Sequence, residues 1–203
     1  MSRSALVDVF VEDRAHEELL RPLLARVAAE EGCAAKPRIR CARGGSSRAI
    51  DEMRFTQDLI ASATMGIAMP DVFLVGIDGN CTTSAKKRGE IRQRSRVEFR
   101  DRLVIACPDP HVERWYMADP DSFHTVVGAR PVVGKDKCQR NHYVQLLSTT
   151  VAAAGHPQTL GGIEWARDLV GGMDLYRAAK NDAALGHFLD DLRSKLRTLG
   201  RQL

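Results

Sequence analysis

Val72-Phe-Leu-Val-Gly-Ile77, followed at once by Asp78-Gly-Asn80, is the stretch on which the fold turns. A short run this apolar and β-branched predicts a strand buried on both faces, and Asp-Gly-Asn is turn chemistry that ends it. A second run of the same kind, Ala5–Val11 (ALVDVFV), stops at Glu12, and a third, Leu103–Cys107 (LVIAC), stops at Pro108. Arg38–Ala42 (RIRCA) adds a further strand, short and basic.

Helical periods lie between these runs. From Ala15 to Glu31, Leu19, Leu20, Leu23, Leu24 and Val27 recur at three-and-four spacing, with Gly32 as a stop. Residues 47–62 place Ile50, Met53, Leu59 and Ile60 on one side, and a basic helix is predicted over 85–99. The order is βαβαβαβ, which predicts an α/β fold: a parallel sheet flanked by helices, with right-handed crossovers and a ligand site beyond the carboxyl ends of its strands. Beyond Pro108-Asp-Pro110 the character changes, and 112–118, 136–154, 162–179 and 182–199 all read as helices. The expected organisation is an α/β domain over 1–120 and a helical extension over 121–203 packed on it.

The chain has 203 residues, 44% apolar and 28% charged, the balance of a globular protein with a sizeable core. Its five cysteines, Cys33, Cys41, Cys81, Cys107 and Cys138, are odd in number and contain no C-x-x-C pair, so no disulfide framework is expected. The first apolar run is interrupted by Asp8 and followed by Glu12 and Asp13, which excludes a signal-peptide core, and no run approaches the roughly 20 apolar residues of a membrane span. The expected location is the cytoplasm. A net charge of +4 does not by itself mark a nucleic-acid binder, but residues 86–102 carry eight Lys or Arg directly after Asp78.

Glu12 and Asp78, both at the ends of predicted strands, are far apart in sequence and close in such a fold. Two carboxylates about 4 Å apart repel by on the order of 4 kcal/mol at an effective dielectric near 20, and a divalent cation offsets that directly. All-oxygen ligands favour Mg²⁺ or Mn²⁺ over zinc. The spacing of Gly44-Gly-Ser-Ser47 is not that of a P-loop, and no G-x-S-x-G elbow is present. Cys107-x-x-x-His111 and Cys138-x-x-x-His142 form a repeated spacing that raises zinc as a weaker alternative.

These motifs resemble those of Toprim proteins. Val11-Glu12-Asp13-Arg-Ala-His-Glu17-Glu18-Leu-Leu is similar to the first Toprim motif, a strand ending in Glu that opens a helix with a further acid about five residues on. Val72 to Asp78-Gly-Asn80-Cys81 is similar to the second, a hydrophobic strand ending in D-x-D. Pro108-Asp-Pro-His-Val-Glu113-Arg-Trp115-Tyr-Met-Ala-Asp119 is similar to a signature of small stand-alone Toprim-like proteins of the DUF4276 type, related to the nuclease domains of OLD-family proteins. The resemblance spans residues 1–120.

It implies metal-dependent phosphodiester hydrolysis of nucleic acid, DNA ahead of RNA, within an antiphage defence system that has an ATPase partner. Glu12 would then be the first-motif acid, Asp78 the principal metal ligand and Glu17 a second-ion ligand, with Glu113 and Asp119 auxiliary. Asn80 stands where the second acid of D-x-D is expected, which removes a negative charge and leaves only a carbonyl oxygen to coordinate. Lys86, Lys87, Arg88 and Arg92 would hold the nucleic-acid backbone, assisted by Lys135 and Lys137, and a homo-oligomer is compatible with this. The competing reading is a non-catalytic Toprim-fold partner subunit of an ATPase complex, for which Asn80 is the main support. Each site residue also has a structural reading: Glu12 as a helix cap, Glu17 as a first-turn acid, Asp78 as a turn former, Glu113 as a partner for a nearby Arg, Asp119 as a helix end before Pro120.

Overall fold

The computed structural model describes residues 4–62, 66–134, 136, 139 and 141–201. Its centre is a parallel four-stranded sheet of order β2-β1-β3-β4, formed by β1 (Ala5–Val11), β2 (Ala35–Cys41), β3 (Val72–Gly76) and β4 (Leu103–Ala106). The α/β fold class expected from the strand runs is the one observed. In this order the chain steps from β1 outward to β2, then back across β1 to β3, so the crossover helices must lie on opposite faces.

Period-two alternation along the strands sorts the core accordingly. Val7, Val9, Val11, Val72, Leu74, Val104 and Ala106 face α1 (Arg14–Glu30), whose Leu19, Leu20, Leu23, Leu24 and Val27 are buried against them. Phe10, Phe73, Val75, Ile77, Leu103 and Ile105 face the other way, onto α2 (Ser46–Ala61), α3 (Ser84–Arg94) and α4 (Val97–Arg100). Each large apolar side chain taken fully out of water contributes roughly 1.5–3 kcal/mol. The expected basic helix over 85–99 is two helices, because Ser95 turns back to Ile91 O (2.8 Å) and Arg96 N donates to Gln57 Oε1 (2.8 Å), which breaks the ladder between them.

The helical extension covers the α1 face: α5 (Glu113–Tyr116), α6 (Pro120–Val127), α7 (His142–Ala153), α8 (Ala166–Gly172), α9 (Leu175–Asn181) and α10 (Ala183–Gly200) share one apolar cluster with α1 and the sheet. Trp115 ties α5 to α10, its ring stacked on Phe188 at 5.5 Å and its Nε1 donating to Asp182 (3.3 Å), the residue that caps α10. Tyr116 ties α5 to α1 by donating from its hydroxyl to Ala15 O (2.7 Å).

β2 forms one edge of the sheet and carries Lys36, Pro37, Arg38 and Arg40. Arg38 pairs across the register with Asp8, a buried carboxylate in the middle of β1, and also donates to Ala68 O (2.8 Å). No helix among the described residues is long and apolar enough to cross a membrane.

Candidate functional site

Between β1 and β3 the strand order reverses, and in open parallel sheets the crevice for a ligand opens at that point, beyond the strand ends. Glu12 follows directly on β1; its N–H donates to Gly76 O (2.8 Å) and its Oε2 accepts from Asp78 N (3.0 Å), so this carboxylate pins the start of the loop after β3. The loop is then stitched to the one after β4: Gly79 N donates to Pro108 O (2.8 Å) and Asn80 N to Pro110 O (2.9 Å). Gly79 is needed for this approach, since a Cβ there would lie 2.8 Å from Pro108 O. Asn80 holds φ at 52°, a left-handed conformation that asparagine tolerates better than most residues, and its Nδ2 turns back to Asp78 O (3.4 Å).

Two histidines close on Asp78 from either side. His16, fully buried on the first turn of α1, has Nδ1 2.8 Å from Asp13 Oδ1 and Nε2 3.1 Å from Asp78 Oδ1. The second pair is within ion-pair distance but off line, so neither His16 Nε2 nor Asp78 Oδ1 makes a directed hydrogen bond. His111, from the loop after β4, places Nδ1 3.0 Å from Asp78 Oδ2. Gly76 makes room for this arrangement, because a Cβ there would lie 2.7 Å from Leu20 Cδ1 and 3.3 Å from His16 Cδ2.

The electrostatics follow from burial. Desolvation, then the charge of Asp78, pushes Glu113 up to about 7, and the same two causes raise Glu12. Burial acts to raise Asp78 as well, but His16 and His111 outweigh it and hold the carboxyl below its ordinary range. For His16 burial acts to remove the charge, and Asp78 and Asp13 outweigh it, so its pKa lies well above the usual histidine value. His111 is raised by its contact with Asp78. Four carboxyls, Glu12, Asp13, Asp78 and Glu113, thus interact with two imidazoles, His16 and His111; with all six ionised the cluster carries two uncompensated negative charges.

Comparison with protein-family models, with curated proteins and with solved structures finds no match to this chain. Its chemistry therefore rests on its own geometry.

Of the residues singled out by sequence, Glu12 is hydrogen-bonded to the Asp78 backbone, Asn80 adjoins Asp78, and Glu113 is near enough to be raised by the charge of Asp78. Glu17 is engaged elsewhere: Oε1 pairs with Arg21 (2.5 Å) and Oε2 accepts from Cys41 Sγ (3.2 Å). Asp119 is also engaged elsewhere, capping α6 and binding Arg177 through both oxygens (2.7 and 2.9 Å), which corrects its reading as a metal ligand. Lys87 pairs with Glu90 (2.9 Å) and Arg88 with Asp191 of α10 (2.7 Å); among the described residues Lys86 and Arg92 have no ion-pair partner. Lys135, Lys137 and Cys138 lie outside the described residues. Cys107 is buried in the apolar cluster over α2, and burial pushes its thiol up to about 12. Cys33, Cys41 and Cys107 are free, whereas Cys81 is disulfide-bonded, contrary to expectation.

His16 and His111 are the site residues that sequence reasoning did not place. His16 occupies an inward position of the α1 stripe, three residues before Leu19 and four before Leu20, where an uncharged side chain is the rule; that was the available signal. His111 was weighed only as a partner for Cys107.

Proposed function

We propose that this chain is a divalent-metal-dependent phosphodiesterase acting on nucleic acid, of the Toprim-like kind its strand-end motifs resemble. The observation that carries the reading is the coupling of Glu12, Asp78 and Glu113 at the reversal of strand order, where Glu12 binds the Asp78 backbone and the charge of Asp78 raises both glutamates. The donor set fits a hard cation: three carboxylates, the amide oxygen of Asn80, and a buried Asp78 Oδ1 with no directed hydrogen bond. Among the described residues no group of three or more His, Cys, Asp or Glu is arranged to hold a metal as it stands. Asp78 is turned to its histidines, and His111 is the partner an arriving cation would release, since it is half-buried and on a loop.

Mg²⁺ or Mn²⁺ bound by Glu12, Asp78 and Glu113 would supply Lewis-acid polarisation of a phosphoryl oxygen and a more acidic water. The protein's own residues do the rest. Glu12 fixes the Asp78 backbone, His16 sets its Nε2 3.1 Å from Asp78 Oδ1, and Asp13 fixes the His16 ring through Nδ1. His111, once free of Asp78, would offer a ring N–H as a hydrogen-bond donor to a phosphoryl oxygen.

The test is titration with Mn²⁺ and incubation with single- and double-stranded DNA and RNA, with Mg²⁺, Mn²⁺ or EDTA. Wild-type protein is expected to cleave with either metal, and Asp78→Asn is expected to lose both cleavage and Mn²⁺ binding while keeping its circular dichroism spectrum. Cleavage that survives in EDTA or in Asp78→Asn overturns the proposal.

A second reading, a non-catalytic partner subunit of an ATPase complex, is favoured by one observation: both Asp78 oxygens face histidine nitrogens while the Asn80 amide turns back on the loop. Asn80→Asp separates the two readings. Tighter Mn²⁺ binding without any cleavage supports the partner role, whereas faster cleavage supports the enzyme.

A further inference from the structure

Much of the positive charge that the sequence concentrates after Asp78 is neutralised in the fold. In α3 and α4, Arg88 is paired with Asp191, Arg94 with Asp51, and Arg96 with Asp58 and Glu98. A cleft of about 670 Å³ on the other side of α2 is different: it is lined by Arg40, Arg43 and Arg48, and among the described residues none of these guanidinium groups forms an ion pair or a hydrogen bond. The one acid in the lining, Glu52, accepts from the Arg43 backbone N–H (2.7 Å). Three arginines against one carboxylate leave the lining with an excess of positive charge, which favours a polyanion.

The cleft has a second property. Phe55 projects from α2 into it and is 62% exposed, while Phe10, Thr56 and Leu59 form its floor and wall. An aromatic face beside unpaired arginines is the arrangement that binds a single strand, with bases stacked on the ring and phosphates held by the guanidinium groups. The backbone stays out of the way at Gly44, where a Cβ would lie 2.7 Å from the Arg48 side chain and from Glu52 Oε1. One end of the cleft lies near the acidic centre: Cys41, in its lining, is the register partner of Val11, the residue before Glu12.

We infer that the Arg40–Arg43–Arg48 cleft is a single-stranded polynucleotide site that leads the strand to the acidic centre. Its purpose rests on the phosphodiesterase reading, but binding itself requires no metal.

The experiment is fluorescence polarisation in EDTA with end-labelled single-stranded DNA, single-stranded RNA and duplex DNA of equal length, over a range of salt. Single strands are expected to bind more tightly than duplex, with the DNA and RNA arms identifying the preferred sugar. Arg43→Ala/Arg48→Ala is expected to make the slope of log K against log salt shallower by about 1.4, from roughly 0.7 per phosphate contact on a single strand. Phe55→Ala is expected to weaken binding about tenfold with little change of slope. Arg54→Ala, an exposed arginine of α2 paired with Asp58, removes one charge outside the cleft and is expected to be neutral. Equal binding of duplex and single strands with Phe55→Ala neutral, an Arg54→Ala effect as large as that of a cleft arginine, or no oligonucleotide binding at all each overturns the inference. Cleft-dependent binding without metal-dependent cleavage would leave the site standing and remove the phosphodiesterase reading; cleavage unaffected by the cleft variants would do the reverse.

Discussion

Asp119 carries the chemistry of a metal ligand and the environment of a structural lock. Burial works against its ionisation, yet the Arg177 guanidinium and the Ser122 and Asp174 amides outweigh it and hold the carboxyl well below the usual carboxylate range. A depressed folded-state pKa means that the stabilisation is complete above the unfolded value, near 3.9, and is lost as pH falls through the folded one. Asp119→Asn, which keeps a capping oxygen, is therefore expected to lower stability by about 2 kcal/mol at pH 7, a buried-pair loss reduced because Arg177 is half in solvent. Urea unfolding at pH 7, 5, 4 and 3 should show the gap between variant and wild type constant at first and closing below about pH 4. The same residue marks a limit of sequence reading. A carboxylate in a motif announces its charge but not its partner, and Arg177 is remote in sequence. Glu12 and Asp78 were legible because the ends of buried strands have one place to go in a parallel sheet; His16 was not, because its role depends on Asp78, which only the fold brings to it.

Strands and helices were legible to the degree that burial wrote their pattern. β1, β3 and β4 are buried on both faces and read as apolar runs, whereas β2, at the edge and half charged, extends from Ala35 where only Arg38 onward was expected. Helix α6 was missed because Asp119-Pro120 was read as a stop, while proline at the first helical position with an aspartate cap is a start. Helix α5, only four residues long, could not hold itself. It is fixed from outside, by Trp115 on α10 and Tyr116 on α1, and this clamp is what presents Glu113 to the acidic centre. Tyr116→Phe removes the buried bond to Ala15 O and is expected to cost about 1 kcal/mol in urea unfolding. Its mark as a clamp would be a further effect, weaker Mn²⁺ binding with Glu12 and Asp78 unaltered; unchanged metal binding would limit the tyrosine to stability.

Two apolar clusters, one on each face of the sheet, organise the molecule as a whole. One joins α1, the sheet and helices α5 to α10; the other joins the sheet to α2, α3 and α4. Because the helical extension shares the first cluster with the sheet instead of having its own, it is expected to unfold with it. Fluorescence of Trp165, in the extension, and of Trp115, in α5 before it, and far-ultraviolet circular dichroism should trace one superimposable urea transition. Two separated transitions would show that residues 121–203 fold as an independent unit. The outer edge of the sheet bears on how copies of this protein meet. Pro37 interrupts the row of amide donors on β2, and Lys36, Arg38 and Arg40 flank it, so the strand offers an incoming chain neither a continuous ladder nor a neutral surface. A dimer built by extending the sheet past β2 is thereby disfavoured, and at high concentration this border resists fibril-like stacking. Assembly, where it occurs, is left to helices and loops, and the groove that α2 forms with β2 stays open to a strand of another polymer.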